Sequence, residues 1–189
     1  KTRQTLSECD KLFLKLHEKY GNDVGLLVIY FLNLIKLKKG EAVFLGAGVP
    51  HAYLKGNIVE CMANSDNVVR AGLTPKYKDI NTLTKIVNYD PALPDIQKPN
   101  SKSDKKTAYT APIPEFNIAC YTLKKNDRIR PKYNDQIEIL LLVKGTVNIN
   151  YDNNQTEVHK GQTVLLPACL SNYNLVADEA STIFHVTLL

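Results

Sequence analysis

The sequence predicts a mainly β fold, arranged as two β-units behind a short helical preface. Three observations carry this. Short β-type runs split by glycine fill residues 32–65. Six evenly spaced apolar runs fill the stretch from Phe116 to the end. Only the first thirty residues show helical periodicity over any length.

Residues 5–19 read TLSECDKLFLKLHEK, with Leu6, Cys9, Leu12, Phe13 and Leu16 at three- and four-residue spacing. That spacing lays one apolar stripe along a helix. Gly21 and Asn22 stop it. A second short helix or apolar segment is expected over Val24 to Tyr30. From Leu32 the texture changes: FLNLIKLKKG reads as a strand running into a turn at Lys39-Gly40, and EAVFL, AYLKG and NIVECM read as further short strands. DINTLTKIVNY reads as one short helix. Residues 90–115 hold most of the prolines around a polar Lys/Ser/Asp centre and read as a linker or meander. After it FNIACYTL, IEILLLVKG, TVNINY, QTVLLPA, NYNLVA and STIFHVTLL predict a sandwich or jelly roll, with turns at Lys124–Asn126, Asn153-Asn154 and Lys160-Gly161.

Composition narrows the class. The 189 residues carry a formal charge of +5, but the lysines are scattered and no Arg-rich helix or aromatic–basic stripe points to nucleic acid. The longest apolar run, VGLLVIYFLNLI, is too short and polar-interrupted to span a bilayer. No signal-peptide pattern opens the chain. Cys9, Cys61, Cys120 and Cys169 lie far apart without a CxxC pair, which reads as free thiols in a reducing, cytoplasmic setting. The chain starts at Lys1 rather than Met and enters a helical pattern at once, which reads as a piece of a longer protein.

Two motif skeletons are embedded in the β-units. In the second unit Glu138, six residues, then Gly145 fit the tail of the first cupin motif, and Gly161 with Pro167 fit the second. The HxH head is replaced by PKYN at 131–134, and no His follows Pro167 in ACLSNYN. The second unit thus reads as a degenerate, metal-free cupin, with His159 and His185 as isolated, ordinary residues. In the first unit KGEAVFLGAGVPHAYL carries Gly40, a strand, Pro50 and then His51, the second cupin motif with its imidazole retained. One imidazole alone is more often structural than a ligand, because zinc takes four donors. Downstream, Glu60 can serve proton transfer and Arg70 with Lys76 can hold an anion. A solvated loop with an Arg–Asp ion pair explains the same residues equally well.

The run from Gly40 to Tyr77, GEAVFLGAGVPHAYLKGNIVECMANSDNVVRAGLTPKY, resembles the signature region of the type I phosphomannose isomerases, on the elements PHAYL, ECMA.SDN.VRAGLTPK, YFLN and L..GEA.FL. The similarity is clear from Asp23 to Asn88 and fainter elsewhere, where APIPEF and KGQTVLLPA follow the family's layout. GAGVPHAY departs from the Ala-Asn that the family usually has after the strand. The resemblance implies a zinc-dependent aldose–ketose isomerase acting on a small sugar phosphate, mannose 6-phosphate with fructose 6-phosphate, cytoplasmic and on the route to GDP-mannose. By position it makes His51 the metal ligand, and Arg70 and Glu60 the catalytic residues. Lys76, Tyr53 and Asp66 would bind substrate. It implies one zinc ion with four protein ligands, of which a Gln-x-His pair and a later Glu are expected upstream of Lys1; none of Gln4, Gln97, Gln136, Gln155 or Gln162 opens a Gln-x-His.

The implied layout is cupin units (double-stranded β-helix, jelly roll) with a partial helical domain and an incomplete first cupin. Residues 1–31 are the remnant of the helical domain, and 32–89 the second half of the catalytic cupin. Residues 90–115 are the linker, and 116–189 the C-terminal degenerate cupin. The competing readings are a noncatalytic sugar- or phosphate-binding cupin and a purely structural two-cupin module. No nucleic-acid or membrane partner is expected, and oligomeric state is left open.

Overall fold

The computed structural model describes residues 5–65, 67–99, 105–131, 136–170 and 172–188. The chain forms two units: residues 1–39 with 43–96, and residues 40–42 with 97–189.

The first unit opens with helix α1, Glu8–Tyr20. Ser7 and Asp10 build its capping box: Ser7 Oγ accepts from Asp10 N at 3.1 Å, and Ser7 N donates to Asp10 Oδ2 at 2.9 Å. Two orphan backbone donors are satisfied this way. Gly21 ends the helix, its N–H returning to His17 O at 2.8 Å. The expected second helical segment is a tight 3-10 helix, Val24–Tyr30, capped by Asp23. Tyr30 folds back on α1, its hydroxyl 2.9 Å from Asp10 Oδ1 and its ring beside Phe13. Helix α2, Ile80–Ile86, is capped by Asp79 through Thr82 N at 3.0 Å.

The strands expected in this unit are corrected. Of 32–65, only β1, Ala42–Val43, is a strand, and it pairs with β2, Ile96–Gln97. Residues 33–38, 51–54 and 57–63 have no regular secondary structure, although the turn at Lys39-Gly40 forms. An apolar–polar alternation favours extended chain, but a strand exists only where a neighbour accepts its ladder bonds. No neighbouring strand lies along these segments among the described residues. Their apolar side chains stay open: Leu34, Leu54, Ile58 and Met62 are all exposed. Only Gly25, Leu26 and Ile29 are buried among the unit's described residues.

The second unit is the expected antiparallel jelly roll. Its strands are β3 (Lys106–Tyr109), β4 (Asn117–Leu123), β5 (Arg128–Ile129), β6 (Glu138–Lys144), β7 (Thr146–Tyr151), β8 (Asn154–His159), β9 (Thr163–Leu166), β10 (Tyr173–Ala177) and β11 (Ser181–Thr187). They form a five-stranded sheet, β3-β4-β11-β6-β9, and a four-stranded sheet, β5-β10-β7-β8. All six apolar runs became strands. β3 lies inside the stretch read as a linker and pairs with β4 from Lys106 opposite Tyr121 to Tyr109 opposite Ile118.

The inner faces follow the strand period of two. Leu140 and Leu142 of β6, Ile183 of β11, and Leu175 and Ala177 of β10 are all buried in one core with Leu123, Val147 and Ile149. Ile183 is 2% exposed. Ile183→Val removes one buried methylene from this packing and is expected to cost about 0.5–1.5 kcal/mol, read as a lower denaturant midpoint at unchanged slope.

Candidate active site

The residues singled out in the first unit fall into two groups. The first is built around a turn. Gly48 adopts φ +76, and a Cβ there would lie 2.5 Å from Ile86 O, so only glycine lets the chain pass this close to the end of α2. Gly48 O accepts Asn88 N at 2.8 Å, which fixes the turn. Three residues on, His51 leaves it, and His51 Nδ1 sits 2.9 Å from Val49 O. A carbonyl only accepts, so Nδ1 carries the proton and Nε2 presents its lone pair outward in the neutral ring.

Tyr53 follows at the two-residue spacing of extended chain. Its ring lies 5.8 Å from that of His51, centre to centre, tilted by 56°. The Tyr53 hydroxyl donates to Glu60 Oε1 at 2.8 Å. Partial burial, and then the Glu60 carboxylate, push the Tyr53 phenol up to about 12. Tyr53 therefore remains a donor through neutral pH and ties one oxygen of Glu60, leaving Oε2 open. An imidazole nitrogen, a phenol and a carboxylate thus face one exposed edge.

Arg70 and Lys76 form the second group. Arg70 is half-buried and Lys76 is exposed. Neither makes a hydrogen bond or ion pair to His51, Tyr53 or Glu60 among the described residues. The loop between them is pinned at Gly72, against Gly25, and at Leu73, which holds φ +54. Asp66 lies outside the described residues, so the Arg–Asp ion pair has no description either.

Among the described residues, no three His, Cys, Asp or Glu side chains converge as a metal-binding group. His51 Nε2 suits one coordination position, its tautomer already set by the Val49 carbonyl. One donor does not make a zinc site, so these residues alone do not fit the ion.

In the second unit the reading of His185 as isolated is corrected. His185 is 5% exposed and Glu138 2% exposed. His185 Nε2 lies 2.8 Å from Glu138 Oε2, and the Tyr173 hydroxyl donates to the same oxygen. Tyr173 belongs to the four-stranded sheet and the other two to the five-stranded sheet, so the three groups bridge the sandwich. The alternation could have shown this: His185 shares the inward face of Ser181 and Ile183. His159 is exposed and lies 3.1 Å from Glu157. The PKYN segment that replaces the HxH head lies largely outside the described residues. Asp23 stands just before an apolar run, the place of an N-cap.

The two-sheet antiparallel roll of the second unit, together with the His-bearing turn of the first, defines a protein of the cupin class. The chain is homologous to the mannose-6-phosphate isomerases. It is 39% identical over 189 residues to the probable mannose-6-phosphate isomerase of Dictyostelium discoideum, covering 96% of this chain and 42% of that protein. It is 42% identical over 153 residues to the Homo sapiens mannose-6-phosphate isomerase, covering 78% of this chain and 36% of that one. Among solved structures, the apo form of the Salmonella typhimurium mannose 6-phosphate isomerase superposes with a TM-score of 0.77 at 26% identity, covering 97% of this chain and 46% of that one. A mannose 6-phosphate isomerase bound with zinc and yttrium matches equally, with a TM-score of 0.77 at 26% identity, 97% of this chain and 46% of that one. No family model matches the chain. The chain spans about two fifths of the length of the first of these relatives.

Proposed function

We propose that this chain forms one wall of the active site of an aldose–ketose isomerase that interconverts mannose 6-phosphate and fructose 6-phosphate. The observation that carries this is the convergence of His51, Tyr53 and Glu60 on one exposed edge, in a chain homologous to such isomerases along nearly its whole length.

In this reading Glu60 moves the proton. Its open carboxylate oxygen takes the hydrogen at C2 of the aldose, and the electron pair left behind becomes the C1=C2 bond of a cis-enediolate. Glu60 then returns the proton at C1 while the O2 proton passes to O1, which leaves the ketone at C2 and a hydroxyl at C1. Tyr53 holds Glu60 in place by its hydrogen bond. Arg70 offsets the negative charge that develops on the enediolate oxygens. Lys76 meets the phosphate as a point charge, and Asp66 binds the sugar hydroxyls. His51 Nε2 would be one ligand of a zinc ion, whose other donors come from the rest of the whole protein; bound there, the ion would polarise the substrate oxygens. Residues 1–31 and 32–89 would then be parts of a helical domain and of the catalytic cupin, 90–115 a linker, and 116–189 a cupin without metal. The setting is cytoplasmic, and the mannose 6-phosphate formed in the reverse direction feeds GDP-mannose formation. No helix among the described residues is long and apolar enough to cross a membrane.

The test is to supply the purified whole protein with mannose 6-phosphate and follow fructose 6-phosphate. Conversion supports the reading, and its absence overturns it. Tyr53→Phe frees Glu60 from its only described partner and is expected to lower kcat about tenfold, with KM within about twofold.

A further inference from the structure

The loop that carries Arg70 is held by a group far away in sequence. Asp23 Oδ1 accepts Gly25 N–H at 2.7 Å, and a Cβ built on Gly72 would lie 3.3 Å from the same oxygen. Lys78 Nζ lies 3.4 Å from Asp23 Oδ2, on the far side of the same loop. The backbones touch beneath this carboxylate. A Cβ on Gly25 would lie 2.9 Å from Gly72 Cα and 3.2 Å from Leu73 N, and a Cβ on Gly72 would lie 2.8 Å from Gly25 Cα. Two glycines therefore face each other where no side chain fits. Leu73 is meanwhile kept at φ +54, a conformation that a leucine adopts only when its surroundings impose it. The backbone N–H of Gly25, and after it the nearby N–H of Leu73, hold the Asp23 carboxyl below the usual carboxylate range, so it stays ionised and keeps its acceptor role through neutral pH.

We propose that Asp23 is a positioning residue for Arg70. By closing the start of the 3-10 helix onto the Gly72-Leu73 turn, it fixes the backbone two residues from Arg70 and so aims the guanidinium. This rests on the isomerase reading given above. Asp23 does not touch substrate; it acts through the loop. A cation that must meet developing charge loses most of its effect when displaced by about 1 Å, so the clamp bears on kcat rather than on binding.

The experiment is a double-mutant cycle in the whole protein, with steady-state kinetics on mannose 6-phosphate and a thermal unfolding curve for each variant. Asp23→Ala is expected to lower kcat about ten- to thirtyfold and to change KM by less than about twofold. Asp23→Asn keeps an oxygen acceptor for Gly25 N–H, and is expected to stay within about threefold of the parent. In the Arg70→Ala background, Asp23→Ala should lower kcat by less than about twofold further, since the group it aims is gone. Should Asp23→Ala fail to fold, Asp23→Glu keeps the charge but displaces the carboxylate by one methylene, and the same loss of kcat is expected. Independent, multiplying losses would overturn the proposal, as would parent-like kcat in Asp23→Ala or, where that variant does not fold, in Asp23→Glu. If Arg70→Ala retains parent activity, Asp23 has nothing to aim and the proposal falls; if the parent protein itself converts no mannose 6-phosphate, the isomerase reading falls instead, so the two failures are told apart.

Discussion

Arg70→Ala in the whole protein is expected to lower kcat by about a hundredfold or more, with a melting temperature within about 2 °C of the parent. The magnitude follows from what the group would do. A preorganised donor aimed at charge that appears only in the transition state contributes about 2.7–4 kcal/mol, which is a factor of about 10² to 10³ in kcat. The small effect on stability follows from the surroundings. Arg70 is half-buried and makes no ion pair with any described residue, so alanine breaks no described ion pair and removes only the packing of its stem. Arg70→Lys keeps the charge but loses the planar fork, and is expected to fall between the two. Kinetics on mannose 6-phosphate, paired with thermal unfolding, decides. A kcat within about tenfold of the parent would remove Arg70 from the chemistry, and a collapse in melting temperature would make its role structural.

Legibility in the sequence differed between the two units, for a physical reason. In the second unit each strand has its neighbour, so alternation in FNIACYTL or NYNLVA reports what the chain does. β8 escaped notice because Gln155, Thr156 and Glu157 are exposed along with its other residues, leaving Val158 as the one buried position. An edge strand of that kind carries too few apolar residues to show a period. β3 was hidden by the polar composition around it. In the first unit the alternation of AYLKG and NIVECM is equally real, yet no strand pairs with them among the described residues. The pattern marks a preference that pairing alone turns into a strand. The helix stop at Gly21 was plainly legible, because it depends on local chain conformation. His51 and Glu60 were legible through the resemblance. The approach of Lys78 to Asp23 was not, because it joins residues 55 apart.

Glu138→Ala is expected to destabilise the second unit by about 3–5 kcal/mol, the largest effect on folding proposed for this chain. Glu138 occupies the inward face of β6 in line with Leu140 and Leu142, where the pattern calls for an apolar side chain. It is tolerated because His185 and Tyr173 both donate to its Oε2. Removing the carboxylate leaves two buried donors without a partner, and that loss exceeds the gain from no longer burying a charge. Titration gives an independent readout. Burial holds His185 below its ordinary range and Lys106 adds to this, while the Glu138 hydrogen bond and charge pull the other way without prevailing. Tyr121, beside the ring, stays neutral because burial raises its phenol. Below about pH 6.5 the unfolded chain therefore takes up a proton at His185 that the folded chain refuses. Stability should accordingly fall as pH drops from about 6.5 toward 5, by at most about 1.4 kcal/mol per pH unit. The aspartates at 23, 79 and 127 have lowered values and contribute their losses only near and below about pH 4. His185→Gln keeps a donor toward Glu138 but cannot titrate, so denaturant unfolding at pH 7.5, 6.5 and 5.5 should show its slope flattened relative to the parent. An equal slope in both chains would mean that His185 accepts its proton while folded, with Glu138 holding it as an ion pair.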